Sequence, residues 1–311
     1  MLGQNSIKNY RMSMDRTKKV LCIAFCCDEN YLMPASIMLE SLVKHNRDSY
    51  IVAYSFHDDL SENAVRIFKN ILGEFGEMRM CYLPQEAKKI IDRAPVAGEY
   101  LISKAMYYRL LLPFVVTDDI DKILYLDCDI LIRGNLRGIY ESELNSALIG
   151  GIRDYNADEF EASRGVNGYI NAGVLLIDIK NTKEKYTQEK MLEEMCLLIQ
   201  RKDLLGDQDI INIMFNGQIK LLSIIYNNHY LVQKRFAIKE RVIMRDTIVA
   251  HFSSNIKPWT KEYLFPYTSE YYSYLKEHID IKKKLEYWIY KPISLMKSAF
   301  IAIKRELKQR K

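Results

Sequence analysis

Short apolar runs alternate with segments of helical periodicity along most of the chain. The apolar runs have the length of strands and begin at Val20, Tyr50, Met78, Ile123, Ala147 and Ile170. Apolar residues at helical spacing predict helices over Leu32–His45, Glu62–Leu72, 103–112 and 183–200. Strands that alternate with helices are typical of a mostly parallel sheet flanked by helices, so the pattern predicts an α/β fold.

The 311 residues divide into three parts by this pattern. Residues 1–17 are polar and unpatterned, and we expect a loosely ordered terminus there. Residues 18–279 contain all the alternating segments and are long enough to bury a substantial core, which predicts one large domain. Residues 280–311 form a tail of different composition.

The tail carries the basic charge of the chain. Ten Lys or Arg and two Glu give residues 282–311 a net charge of +8, so the remainder carries −3 of the total of +5. An apolar stripe at alternating steps of four and three comprises Ile289, Ile293, Met296, Phe300, Ile303 and Leu307. A basic amphipathic helix predicts binding to an anionic membrane surface. Packing on the domain or on a second subunit is the alternative.

Composition also bears on partners and compartment. Basic residues outside the tail lack interleaved aromatic residues, which argues against nucleic acid. The cysteines have no zinc-site spacing, and several lie in predicted strands, which indicates free thiols in a reducing compartment; they are Cys22, Cys26, Cys27, Cys81, Cys128 and Cys196. The apolar run 20–27 has no small-residue cleavage site after it, and no run is long enough to span a bilayer. We therefore expect a cytoplasmic protein, peripheral at the inner face of the membrane.

Candidate chemistry begins with Asp127-Cys128-Asp129, which follows the apolar run 123–126. Because side chains alternate along a strand, we expect Asp127 and Asp129 to project from the same side, where they can bind one cation. Aspartates also commonly cap strand ends and turns, so the pair alone is weak evidence.

Three further polar clusters give the pair a context. They are Cys26-Cys27-Asp28-Glu29-Asn30, Gly206-Asp207-Gln208-Asp209, and His251 with Lys257-Pro258-Trp259. Haloacid-dehalogenase-type phosphatases also place Asp-x-Asp after a strand, but they follow it with Thr or Val. Here Ile130 follows, and Ile211 stands where that pattern requires its last metal-binding Asp. A metal-dependent phosphotransfer enzyme is therefore the less favoured alternative.

Taken in order, the clusters resemble glycosyltransferase family 8, the retaining galactosyl- and glucosyltransferases that include bacterial lipooligosaccharide and lipopolysaccharide enzymes. The resemblance covers about residues 20–259 and includes the segments 107–110, 125–131 and 169–177. It implies a GT-A fold with a Rossmann-like sheet, UDP-galactose or UDP-glucose as donor, and a hydroxyl of a glycan or glycolipid as acceptor. A catalytically silent sugar-binding member should have lost part of the metal set, whereas this chain keeps it.

The resemblance implies that Asp127, Asp129 and His251 coordinate Mn²⁺, with Mg²⁺ as the alternative. Mixed oxygen and nitrogen ligands suit Mn²⁺, which would offset the charge that develops on the departing UDP. Lys257 would neutralise the diphosphate as a point charge. Ser254 stands where the family often has a Gly whose backbone N–H meets a phosphate.

The remaining donor-site residues are implied in the same way. Asp28 and Asn30 would meet the uracil and ribose, with Tyr31 in the same turn. Arg109 would reach the donor sugar or its phosphate, and Asn171 would contact the donor sugar. Cys26 and Cys128 would be further donor-site residues. From the residues alone, Asn30 could instead cap the helix that follows it. Arg109 could be a solvated helix residue, and the Gly173 that follows Asn171 could mark a strand bend or a close approach to a ligand.

The mechanism depends on Gln208, which the resemblance places near the anomeric carbon. An amide is a poor nucleophile, so we favour front-face departure, with Asp207 binding donor hydroxyls. Asp154 would lie on the acceptor side. A double displacement through Asp207 or Asp154 stays open, because retaining glycosidases use a carboxylate nucleophile. Asp209 is expected to cap the apolar helix 210–215.

Overall fold

The computed structural model describes residues 18–56, 60–93, 104–117, 119–201, 203–204, 206–229, 245–253, 257–259 and 267–278. The predictions for the N-terminus, for Ser254 and for the tail 280–311 lie outside these residues.

Ten strands lie within the described ranges. They are β1 (Lys19–Cys26), β2 (Ser49–Phe56), β3 (Gly76–Cys81), β4 (Lys122–Leu126), β5 (Ile130–Ile132), β6 (Ile149–Arg153), β7 (Ile170–Asp178), β8 (Ile219–Leu221), β9 (Asn228–His229) and β10 (Val249–His251). The α-helices there are α1 (Leu32–His45), α2 (Glu62–Leu72), α3 (Gln85–Ile91), α4 (Leu112–Val115), α5 (Arg137–Tyr140), α6 (Ala157–Arg164), α7 (Ile179–Lys185), α8 (Gln188–Ile199), α9 (Asp207–Met214) and α10 (Thr268–His278). The 3₁₀ helices are Glu29–Tyr31, Gly73–Phe75, Lys104–Leu111 and Ile224–Tyr226.

The main sheet has seven strands in the order β3-β2-β1-β4-β7-β6-β8. All its neighbours pair in parallel except β7, which is antiparallel to both β4 and β6. The predicted mostly parallel α/β sheet is therefore confirmed. A second, small sheet has the order β5-β10-β9.

Two apolar clusters cover the two faces of the main sheet. Helices α3 and α7 to α9 pack on one face, and α1 and α2 pack on the other. Strands β1 and β2 are apolar almost throughout because both of their faces are buried, as is typical of central parallel strands. The continuous apolar runs predicted these strands for that reason.

Two predicted helices differ from the structure. The prediction of one helix over 183–200 is wrong, because α7 ends at Lys185 and the Thr187 side chain caps α8 by accepting from Lys190 N at 3.2 Å. The segment 104–111 is a 3₁₀ helix rather than an α-helix, and Pro113 follows within α4. Strands β5, β8, β9 and β10 have two or three residues each, which is too short for a periodic signal.

The small sheet is attached to the domain through Ser41 of α1. The Ser41 hydroxyl donates to Met38 O and accepts from Ile132 N of β5 at 3.1 Å, and all of these groups are buried. Ser36 of the same helix is equally buried, but its hydroxyl donates only to Leu32 O in its own helix.

Ser41→Ala should lower the free energy of unfolding by about 1–3 kcal/mol, because it leaves the buried Ile132 N–H without an acceptor. Ser36→Ala is the matched control and should cost clearly less, since the helix carbonyl that it releases already has a backbone partner. Chemical denaturation measures both. Equal losses in the two variants would contradict the proposed attachment.

Candidate active site

The candidate site lies where β1 and β4 end, at the carboxyl edge of the parallel strands. Ligands of open α/β sheets bind at this edge. Asp28 follows β1, and Asp127 follows β4. The backbone N–H of Asp127 donates to Gly173 O of β7 at 2.9 Å, which fixes the start of the Asp127–Asp129 turn against the neighbouring strand.

Asp127, Asp129 and His251 converge, as the sequence predicted. Each offers one ligand atom, and these atoms all lie within 4.8 Å of one another. His251 Nε2 lies 3.2 Å from Asp129 Oδ1 and 3.7 Å from Asp127 Oδ2. This donor set of two carboxylates and an imidazole fits a divalent cation of the Mn²⁺ or Mg²⁺ type.

The reason for the convergence is not strand alternation, and that prediction is wrong. Strand β4 ends at Leu126, and Asp127, Cys128 and Asp129 form a turn before β5. Strand β5 then pairs antiparallel with β10, so that Ile130 lies opposite His251. The pairing of two three-residue strands therefore brings His251 to the two aspartates.

Gly173 makes room for this group. A Cβ atom at position 173 would lie 2.2 Å from His251 Cε1 and 2.9 Å from Asp127 Oδ2. Strand β7 can therefore pass directly behind the ligand atoms only because it carries glycine here. The close approach that the structure shows at Gly173 is to the side chains of His251 and Asp127.

Lys257 contributes positive charge on the other side of Asp129. Its Nζ donates to Asp129 Oδ2 at 2.6 Å and to Phe252 O at 2.9 Å. Burial would raise the pKa of Asp129, but Lys257 and His251 outweigh it and hold that pKa below its usual range. Asp129 is therefore ionised, as a metal ligand must be.

Arg109 is buried beneath the site, so the solvated alternative is wrong. Its guanidinium lies 3.1 Å from Asp127 Oδ1 and 2.8 Å from Asp207 Oδ2. It also donates to Ala172 O at 2.7 Å and to Met106 O at 2.9 Å. A cation so bonded cannot move freely, and it holds Asp127 and Asp207 in place.

Asp207 begins α9 and is buried. Burial raises its pKa to about 6, with a further increase from Asp127 and a decrease from Arg109. Its Oδ2 is close to Arg109 Nε but has no aligned hydrogen-bond donor among the described residues. That oxygen is buried against Arg109, so the Arg109 contact is what holds it in place.

Gln208, Asn171 and Asp154 form one hydrogen-bonded group. Asn171 Nδ2 donates to Gln208 Oε1 at 3.1 Å, and Gln208 Nε2 donates to Asp154 Oδ2 at 3.3 Å. The register of β6 against β7 shifts beside Asn171, between Gly151 and Ile152. Such irregularities redirect side chains next to active sites. The structure therefore brings together the three residues predicted for the sugar and acceptor side.

The residues predicted for the nucleoside lie at the end of β1. Asp28 Oδ1 accepts from the backbone N–H groups of Asn30 and Tyr31 at 3.0 and 3.1 Å. Asp28 thus caps the 3₁₀ helix Glu29–Tyr31, whereas α1 has no side-chain cap and Asn30 is exposed. The Tyr31 ring packs edge-on against Trp259, with centroids 6.0 Å apart.

Cys26 and Cys128 connect the two strand ends. Cys128 Sγ donates to Cys26 O at 3.0 Å, and burial raises the pKa of the Cys26 thiol to about 12. All six cysteines are free, and no zinc-type cysteine cluster occurs among the described residues. These thiols act here as neutral packing and hydrogen-bonding groups.

Comparison with known proteins agrees with this geometry. The model of the family "Glycosyl transferase family 8" matches residues 22–262, which is most of the chain. The chain belongs to glycosyltransferase family 8.

Relatives in this family include lipopolysaccharide 1,2-glucosyltransferase of Escherichia coli K12, which is 25% identical over 281 residues, covering 85% of this chain and 80% of that protein. Lipopolysaccharide 1,3-galactosyltransferase of Salmonella typhimurium is 23% identical over 283 residues, covering 87% and 81%. The crystal structure of galactosyltransferase LgtC with donor and acceptor sugar analogues superposes with a TM-score of 0.72 at 24% identity, covering 83% of this chain and 96% of LgtC. This likeness confirms the GT-A fold.

Sequence reasoning missed or misplaced several residues of this glycosyltransferase site. Asn227 bonds His251, with 2.9 Å between Asn227 Oδ1 and His251 Nδ1, but nothing in the sequence pattern marked it. Tyr125 donates to Asp127 Oδ1 at 2.9 Å. Asp209 does not cap a helix, because α9 already begins at Asp207; it is buried and accepts hydrogen bonds from Tyr169 and Arg164.

Gly173→Ala should weaken Mn²⁺ binding by about 10- to 100-fold, because the new methyl group must displace His251 or Asp127. Titration calorimetry measures the affinity. Gly134→Ala is the control, since its Cβ would meet only the Ile248 side chain, at 3.3 Å, away from the site. If the two variants bind Mn²⁺ equally well, Gly173 does not have the spacing role described here.

Proposed function

We propose that this family 8 enzyme is a retaining hexosyltransferase that transfers galactose or glucose from a UDP-sugar to a hydroxyl of a glycan or glycolipid. The observation that carries the proposal is the convergence of Asp127, Asp129 and His251 beside Arg109 and Gln208. Relatives named as lipopolysaccharide glucosyl- and galactosyltransferases support a cell-surface glycolipid as the acceptor class.

Asp127, Asp129 and His251 would hold Mn²⁺ or Mg²⁺. When bound, the cation would supply Lewis-acid stabilisation of the negative charge on the departing UDP. Asn227 Oδ1 lies 2.9 Å from His251 Nδ1, whereas His251 Nε2 faces the two aspartates. Lys257 lies against Asp129 and is close enough to the ligand group to contribute a positive charge to a bound diphosphate.

Arg109 and Asp207 would organise the donor sugar. Arg109 is occupied by two carboxylates and two backbone carbonyls, so its main effect is to fix Asp127 and Asp207. Because the pKa of Asp207 is about 6, both of its protonation states are accessible near neutral pH. The carboxylate would accept a hydrogen bond from a sugar hydroxyl, and the carboxylic acid would donate one.

Gln208 would stabilise charge at the anomeric carbon through its amide dipole. Its Oε1 accepts from the backbone N–H of Ala172 and from Asn171 Nδ2, both at 3.1 Å, so the side chain is preorganised. An amide held in this way favours front-face departure of UDP, with the acceptor attacking on the same side. A double displacement would need Asp154 or Asp207 as nucleophile.

The basic tail is proposed to place the enzyme near its acceptor. Its charge of +8 and its apolar stripe support binding to an anionic membrane surface on the cytoplasmic side. Among the described helices, none has the length and hydropathy needed to cross a bilayer.

Asp129→Asn and His251→Ala should each remove Mn²⁺-dependent hydrolysis of a UDP-sugar while leaving thermal unfolding close to that of the wild type. The assay screens UDP-sugars without an acceptor, by release of UDP. Asp48→Asn and His278→Ala are the matched controls, because both positions lie outside the ligand group. Near wild-type turnover of either site variant at limiting Mn²⁺ would refute the metal assignment.

Gln208→Ala should slow transfer by about 10- to 1,000-fold without abolishing it, the range for loss of one positioned polar group. The anomeric configuration of the product, read by NMR, should remain retained. Gln200→Ala at the exposed end of α8 is the control. A glycosyl adduct trapped on Gln208 would contradict the front-face route.

Deletion of residues 282–311 should leave UDP-sugar hydrolysis intact but release the protein from anionic vesicles. The proposed site residues all lie before the deletion. Binding of the intact protein should weaken with salt, because charge is screened over about 8 Å at physiological ionic strength. Co-sedimentation with vesicles of graded anionic lipid content is the measurement. If the intact and truncated proteins sediment equally, the tail serves packing or dimerisation instead of membrane binding.

A further inference from the structure

Four amide and imidazole side chains form a continuous hydrogen-bonded chain between the metal-ligand group and Gln208. His251 Nδ1 contacts Asn227 Oδ1, Asn227 Nδ2 contacts Asn171 Oδ1, and Asn171 Nδ2 contacts Gln208 Oε1. The separations are 2.9, 2.9 and 3.1 Å in that order. The direction of each hydrogen bond determines how the three amides are oriented and which nitrogen of His251 carries a proton.

Backbone amides fix the direction at one end. The Gly173 N–H donates to Asn171 Oδ1 at 3.1 Å, and the Ala172 N–H donates to Gln208 Oε1 at 3.1 Å. A backbone N–H can only donate, so the side-chain atoms facing these groups must be oxygens. The orientations of the Asn171 and Gln208 amides therefore follow from the backbone of β7 alone.

The orientation of Asn227 follows from that of Asn171. Asn171 Oδ1 is an acceptor, so the Asn227 atom that faces it must be the nitrogen donor. The Asn227 oxygen is then turned toward His251 Nδ1. An oxygen at this position can only accept, so Nδ1 must carry a proton.

The protonation of Nδ1 has a consequence for the metal ligands. In a neutral imidazole with the proton on Nδ1, Nε2 has a free lone pair. That nitrogen is the one that faces Asp127 and Asp129. Metal-bound histidines generally donate their other ring N–H to such a partner, which fixes the ring and the tautomer.

Burial makes the arrangement difficult to reverse. Asn227 and His251 are almost fully buried, and Asn171 is nearly so. Flipping the Asn227 amide would place its oxygen against the Asn171 oxygen, which is costly in a buried site.

We propose that Asn227 is a positioning residue that holds His251 in its metal-binding tautomer and couples it through Asn171 to Gln208. This role rests on the proposed function only in taking the bound cation to be Mn²⁺. Asn227 would contact neither the cation nor the sugar. It acts through His251 on one side and through Asn171 on the other.

The test uses the full-length protein and reads the tautomer directly. Nitrogen NMR of ¹⁵N-histidine-labelled, metal-free protein distinguishes protonated from unprotonated ring nitrogens, and His251→Ala assigns the signals. The wild type should show a proton on Nδ1, the nitrogen that faces Asn227 Oδ1. Asn227→Ala should lose this fixed tautomer, and its Mn²⁺ affinity by calorimetry, with Mn²⁺ alone and with UDP present, should fall by about 10- to 100-fold.

Asn228→Ala is the matched control, because Asn228 is equally buried and adjacent but bonds Thr247 Oγ1 instead of His251. It should leave the His251 tautomer and the Mn²⁺ affinity unchanged. If Asn227→Ala does not fold, the near-isosteric Asn227→Asp replaces it. The ionised carboxylate of that variant can still accept a hydrogen bond from His251 Nδ1–H, but it cannot donate one to Asn171. The proton on Nδ1 should therefore persist, while the link to Asn171 is lost.

Three results would overturn the proposal. They are a wild-type His251 protonated only on Nε2, an Asn227→Ala variant with wild-type tautomer and Mn²⁺ affinity, and a wild-type protein that binds no Mn²⁺ with or without UDP. A wild type that shows the tautomer and binds Mn²⁺ but transfers no sugar would refute the transferase proposal and leave the role of Asn227 standing.

Discussion

The ion contacts of the buried Arg109 guanidinium hold together two carboxylates that come from distant parts of the chain. Asp127 follows β4, and Asp207 begins α9. The buried Asp207 carboxylate alone would carry a large desolvation cost, and the Arg109 cation offsets it. Arg109 also donates to Ala172 O of β7, and its Cζ lies 4.4 Å from the Tyr125 ring centroid. Removing this one side chain would therefore loosen the Asp127–Asp129 turn, helix α9 and strand β7 together.

Much of the fold and of the ligand set could be predicted from the sequence, because each had a strong local signal. Helices α1 and α2 have the predicted bounds, since α1 is a long, mostly apolar segment that is buried on most sides and α2 buries one face with a clear period. The motif order identified Asp127, Asp129 and His251 as a group before any distance was known. Arg109 and Gln208 were also identified through their motifs. Their contact residues Asp127, Asp207, Asn171 and Asp154 were predicted as well, but the hydrogen bonds and ion pairs that join them were not.

The remaining features could not be predicted because they arise from contacts between segments that carry no periodic signal. Strands β5, β9 and β10 are two or three residues long, yet their pairing determines where His251 lies. Asn227 lies in the short connection before β9 and resembles any other loop asparagine in sequence. Gly173 was noted as a small residue, but only the structure shows that its missing side chain leaves space for His251.

Charge balance explains why a site of this composition suits a divalent cation and a diphosphate together. The three carboxylates of Asp127, Asp129 and Asp207 face two cations, Arg109 and Lys257, so the group has one excess negative charge when all are ionised. The raised pKa of Asp207 reflects that burial and excess. In the proposed function, a divalent cation reverses the sign of the excess charge, and the diphosphate then meets a positive site. Each should strengthen the binding of the other, because each compensates the charge that the other introduces.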